Sequence, residues 1–122
     1  MPLVRALRKI DSRPHTAKIQ PKKRSFMIEH TVSFSLKHLA DSAEERNFIE
    51  SLRSIADMPS VQRFKVNRQV SSKGPFDFQI SMQFDSQEEL DTYDASAAHV
   101  EYVNRRWIPE VSEWQTLDFV EI

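Results

Sequence analysis

Hydrophobic and polar positions alternate with period two between Ile28 and Leu36. Ile28, His30, Val32, Phe34 and Leu36 share one face, and Glu29, Thr31, Ser33 and Ser35 the other. This is a strand whose buried face carries an imidazole. The period then lengthens. Phe48, Ile49, Leu52 and Ile55 recur at helical spacing, while Glu44, Arg46, Glu50 and Arg53 point to water. Ser42 and Glu45 are spaced as a capping box ahead of that stripe. Met58, Pro59 and Ser60 break the helix, and residues 61–70 read as a second strand with Phe64, Val66 and Val70 on the face of Arg68. Residues 71–75 hold Gly74, the only glycine, and read as a hairpin turn. Phe76, Phe78, Ile80, Met82 and Phe84 then alternate with Asp77, Gln79, Ser81 and Gln83, giving a third strand with a wholly apolar face. A second helical region starts at Ser86, turns Leu90 and Tyr93 inward, breaks around 95–97 and resumes through Val100, Val103 and Trp107 to Pro109. The last strand, about 113–121, sets Leu117 and Phe119 on one face and Trp114 on the other.

The order strand, helix, strand, strand, helix, strand predicts an α+β fold, a ferredoxin-like βαββαβ sandwich with both helical regions on one face of an antiparallel sheet. The other face and the edge strands are left without cover. Pairing two such sheets solves both problems, so the expectation is a homodimer closed into an α/β barrel.

The 122 residues suffice for one core and not for two. Without cysteine there is no disulfide framework and no thiolate chemistry, which fits a reducing, cytoplasmic setting. No apolar run is long enough to span a membrane. The net charge of −1 conceals an asymmetry: residues 1–25 carry eight bases and one acid, residues 26–122 nine bases and seventeen acids. Two segments follow: residues 1–26, a basic and disordered N-terminal arm, and residues 27–122, the folded domain, with Met27 as an alternative natural start. The arm lacks aromatics to stack on bases, which makes nucleic acid a poor candidate partner. A single glycine rules out a Gly-rich phosphate loop, and no histidine pair has zinc spacing, so neither cofactor nor metal is expected.

An imidazole in apolar company needs partners. The best candidates for His30 lie in residues 93–100, where Tyr93 and His99 stand six apart. A tyrosine and two histidines lining one cavity can act as donor, base and acid. In that reading His99 removes a proton alpha to a carbonyl, Tyr93 donates a hydrogen bond to the developing enolate oxygen, and His30 positions the substrate. The bland readings are a core tyrosine with a satisfied hydroxyl, a helix-start or dimer-contact His99, and a structural His30. His15 and His38 fall in polar segments and carry no signal. Trp107, beside Arg105 and Arg106, reads as a helix-end residue packed on the sheet, and the acidic surplus as solvated surface.

Four stretches together resemble one family. They are the opening from Ile28 to Phe34, the helix start Ser42-Ala43-Glu44-Glu45, the Tyr93-to-His99 spacing and the following Val100-Glu101-Tyr102-Val103. Over residues 27–121 the chain resembles the stress-responsive dimeric α/β-barrel (Dabb) family. The resemblance implies the barrel and the homodimer. One plant branch, of the olivetolic acid cyclase kind, closes linear polyketides in a cavity between sheet and helices. Likeness to it implies a catalytic Tyr93 and His99, with His30 lining the substrate cavity. Where that family often has His-Pro between the pair, this chain has Ser96-Ala97. The expectation is a domain binding a small, largely apolar molecule, with cyclase-like or lyase-like proton transfer. The alternative is a non-catalytic, stress-related dimerisation scaffold. An open pocket of a few hundred Å³ separates the first from the second.

Overall fold

The computed structural model describes residues 26–122. His15 and all but the last residue of the expected basic arm lie outside the described residues. The strands are β1 (Ile28–Leu36), β2 (Gln62–Arg68), β3 (Phe78–Phe84) and β4 (Val111–Phe119). The helices are α1 (Ala43–Ser51), α2 (Arg53–Ala56), α3 (Gln87–Ala95), α4 (Ala97–Tyr102) and the short α5 (Ile108–Glu110), with a π-helical segment Val103–Trp107 joining the last two. The sheet is antiparallel in the order β2-β3-β1-β4, which is the ferredoxin-like arrangement.

Parity decides which side chains meet the helices. Phe34 pairs with Phe78 on one side and Trp114 on the other, Val32 with Ile80 and Thr116, and His30 with Met82 and Asp118. These residues face the helical layer, where Phe34, Phe48, Leu52, Met82, Phe84 and Leu90 are the most deeply buried. Trp107 packs on Phe34 at a centroid distance of 4.9 Å, as its helix-end position suggested. The opposite sheet face carries Thr31, Ser33, Gln79, Ser81 and Gln83 beside Leu117 and Phe119, which are 48% and 50% exposed.

Local chemistry sets the helix starts. Ser42 Oγ accepts the amide of Glu45 at 3.1 Å, and Glu45 Oε1 reaches back to the amide of Asp41 at 3.0 Å, one residue before the position of a standard capping box. Ser86 caps α3 in the same way, through the Glu89 amide.

Three boundaries differ from expectation. β4 begins at Val111, two residues early, because the extra residue Ser112 is absorbed as a bulge opposite Ser35 and Leu36, with Ser112 Oγ donating to Ser35 O. β2 is shorter than 61–70 and is bulged between Gln62 and Lys65, where Arg63 takes φ 53°. Val70, expected inward, lies past the strand and is 92% exposed. The β2–β3 connection is wider than a tight hairpin, and Gly74 has no positive φ. What the glycine provides is room: a Cβ there would meet the Gln69 amide, which itself bonds Phe76 O and the Ser71 amide.

Candidate functional site

Between sheet and helices lies a cavity of about 190 Å³. Val32, Ile55, Ile80 and Val103 give it an aliphatic wall, Tyr102, Trp107 and Trp114 an aromatic one, and His30, Tyr93, Asp94, His99 and Thr116 a polar end. All three expected site residues are therefore on it. His30 and Tyr93 stand with ring centroids 6.1 Å apart, and Tyr93 and His99 at 4.5 Å.

His30 finds a different hydrogen-bond partner from the one expected. Its Nδ1 lies 2.6 Å from Asp118 Oδ1, on the neighbouring strand, and Tyr93 contacts it only ring to ring. A carboxylate accepts, so Nδ1 carries the proton and Nε2 is the open nitrogen of the neutral ring. Asp118 was legible from parity: it follows Trp114 and Thr116 on the inward face of β4.

His99 is held by the helix break. Ser96 Oγ donates to Tyr93 O at 2.9 Å and accepts the His99 amide at 3.2 Å, so one hydroxyl ends α3, caps α4 and fixes Tyr93 relative to His99. Here Ser96-Ala97 supplies by capping the turn that a proline would supply by its ring. His99 Nδ1 is 3.0 Å from Asp94 O. A carbonyl oxygen only accepts, so His99 also keeps Nε2 as its free basic nitrogen.

The two cavity tyrosines differ. Tyr102 donates to Ser51 Oγ at 2.8 Å, and Ser51 in turn donates to Phe48 O. Tyr93 is 4% exposed, and its hydroxyl makes no hydrogen bond to any described residue. Burial, then the Asp94 carboxylate and Tyr102, push its phenol well above the ordinary range, so it stays a donor. A buried hydroxyl without a partner costs on the order of 1–3 kcal/mol, which an acceptor entering the cavity would relieve.

Asp94, which sequence reading left among solvated acids, lies at the cavity rim. Its carboxyl is raised by desolvation, against the lowering pull of His30 and His99. Its position directly after an inward tyrosine was the available signal. Among the described residues no three His, Asp or Glu gather as metal ligands would, and none of the residues lining the cavity is Lys or Arg. His38 is not the idle residue its polar setting suggested. Its Nε2 is 2.7 Å from Glu110 Oε1, remote from the cavity.

A four-stranded antiparallel sheet with one helical layer and a polar-ended cavity between them defines a ferredoxin-like α+β domain with a ligand-sized interior. The family model of the stress-responsive A/B barrel domain matches residues 28–121, and the chain belongs to that family. It is 36% identical to a Dabb-family protein of ferredoxin-like fold from Mesorhizobium loti, covering 80% of this chain and 98% of that one with a TM-score of 0.78. It is also 28% identical to a stress-response A/B barrel domain-containing protein of Arabidopsis thaliana, over 79% of this chain; it spans only 37% of that relative's length. A dimeric ferredoxin-like protein of unknown function from Thermobifida fusca shares the fold at 14% identity, covering 86% of this chain and 100% of that one with a TM-score of 0.66. No helix among the described residues is long and apolar enough to cross a membrane.

Proposed function

We propose that this domain binds a small, largely apolar molecule in the cavity and moves a proton on it, with Tyr93 and His99 as the catalytic pair and His30 as a substrate-binding residue. The observation that carries the reading is the unpartnered, deeply buried Tyr93 hydroxyl beside two imidazoles on one cavity. In a carbonyl ligand whose oxygen accepts from Tyr93, the adjacent C–H becomes acidic. His99 Nε2 takes that proton, the electron pair moves to oxygen, and the phenol stabilises the enolate. His30, held by Asp118, orients the ligand and can return a proton. From the enolate, attack on a second carbonyl gives a cyclase and expulsion of a leaving group gives a lyase.

In the same proposal the chain works as a homodimer, paired through the sheet face that carries Leu117 and Phe119, two half-exposed apolar side chains on an otherwise small and polar surface. One observation favours the non-catalytic scaffold: the cavity is below the roughly 300 Å³ typical of drug-sized ligand pockets.

The test is deuterium wash-in next to the carbonyl of a small aryl ketone, followed by NMR in D₂O, for the wild type, Tyr93→Phe and His99→Ala, with a thermal melt of each. Loss of exchange with little change in melting supports the assignment. Melting temperatures that fall while exchange stays at the wild-type rate refute it.

A further inference from the structure

The cavity's charge and its rings point to one class of ligand. We infer that it selects a monocationic, amine-bearing molecule over neutral and anionic ones of the same shape, with Asp94 as the counter-ion and the tryptophan and tyrosine rings as the cation's walls. The inference rests on the reading of the cavity as a ligand site and names the chemistry of its occupant.

Counting charge requires no knowledge of where the His30 proton resides. The His30–Asp118 pair, joined at 2.6 Å, is neutral if the imidazole is protonated and carries one negative charge if it is not. Asp94 then adds a negative charge that no described side chain offsets: its carboxylate has no ion pair, and its neighbours through space are His30, His99, Asp118 and Asp91. With His99 neutral, the cavity is negative in either case. The guanidiniums within electrostatic range of Tyr102 are already committed, Arg105 to Glu101 at 2.8 Å and Arg106 to Glu110 at 2.7 Å. A carboxylate or phosphate ligand would enter this field with nothing to hold it.

The walls suit a cation. Trp107 and Trp114 meet edge to face at 6.1 Å, and Tyr93 and Tyr102 complete an aromatic lining around a volume that fits a compact organic ammonium. Ring faces attract cations, most strongly where water is thin. The proton chemistry proposed above gains from the same choice. Enolate charge would build up in a negative site whose only fixed donor is Tyr93, and an ammonium on the ligand itself offsets it.

Benzylamine, benzyl alcohol and benzoate are nearly isosteric and differ in charge, so calorimetric titration of the full chain at neutral pH with each of the three isolates the field. The expected order is benzylammonium tighter than benzyl alcohol by roughly ten-fold, with no detectable benzoate binding. Asp94→Asn should remove most of that preference and leave the alcohol's affinity unchanged. Trp114→Leu, at a half-exposed position whose replacement leaves the core intact, should weaken the ammonium more than the alcohol. Alcohol binding as tight as ammonium, or a preference for benzoate, overturns the inference while the cavity remains a ligand site. Failure of all three probes to bind overturns both.

Discussion

The chain holds two imidazole–carboxylate pairs of nearly equal length, and they do opposite things. At one end of β1, His30 meets Asp118 at 2.6 Å, with His30 buried at the polar end of a cavity. Just beyond the other end of β1, His38 meets Glu110 at 2.7 Å, but Glu110 also receives Arg106 at 2.7 Å, and Arg106 donates to Asn47 and lies over the Phe48 ring at 5.8 Å. The backbone closes the same corner, with the Lys37 amide on Glu110 O at 2.9 Å. In the second pair the carboxylate is saturated by cations from its own chain, and the cluster fastens β1, α1 and the approach to β4. In the first, the carboxylate holds one ring and leaves the ring's other nitrogen uncommitted. What separates a candidate site from a structural clasp is therefore the third partner, not the pair.

Replacing Glu110 should break the clasp most visibly. Glu110→Ala leaves Arg106 and His38 without their acceptor, an expected loss of about 2–3 kcal/mol in denaturant unfolding, with deuterium wash-in per folded molecule unchanged. An equal loss of wash-in would erase the distinction between the two pairs. Asp118→Asn should do the reverse: wash-in falls about ten-fold, because the His30 ring loses its charge-bearing anchor, while stability changes by less than about 1 kcal/mol.

The two regions should also differ in sign on the pH axis. At Glu110 burial works to raise the carboxyl, but hydrogen bonds from Arg106 and His38 win and hold it below the ordinary carboxylate range. A lowered folded value means the unfolded chain binds the proton first. The Glu110 contribution is thus complete above the ordinary carboxylate value and is lost as pH falls through the folded one. Glu110→Gln should therefore flatten the acid limb of a stability profile. Asp94 is raised, so its folded form binds the proton first and its ionisation costs stability at neutral pH. Asp94→Asn should be slightly stabilising at pH 7 and neutral in acid, the smallest of these effects, resolved by paired melts at the two pH values.

Sequence alone located much of this. Period-two alternation put His30 inward, helical spacing put Tyr93 inward, and the Tyr93-to-His99 interval placed both imidazoles near one phenol. Each of those signals is local. Asp118 and Glu110 are far from their histidines along the chain, 88 and 72 residues away, and their pairing depends on β4's register, which the Ser112 bulge shifts. Nothing in residues 30–38 announces that bulge. Asp94 escaped for another reason: in a segment rich in Asp and Glu, one more carboxylate reads as surface until the sheet opposite it is in place.

The π-helical segment Val103–Trp107 accommodates one residue more than an α-helical turn would use. In evolutionary terms it is an insertion already tolerated, and the chain remains one deletion away from a regular helix. Such a deletion would relieve the widened turn yet rotate everything beyond it by about 100°. Trp107 would leave Phe34 and the cavity, and Arg106 would leave Glu110. The cavity wall and the clasp at the far end thus share a single point of failure, so indels in this segment should be far rarer among functional variants than substitutions.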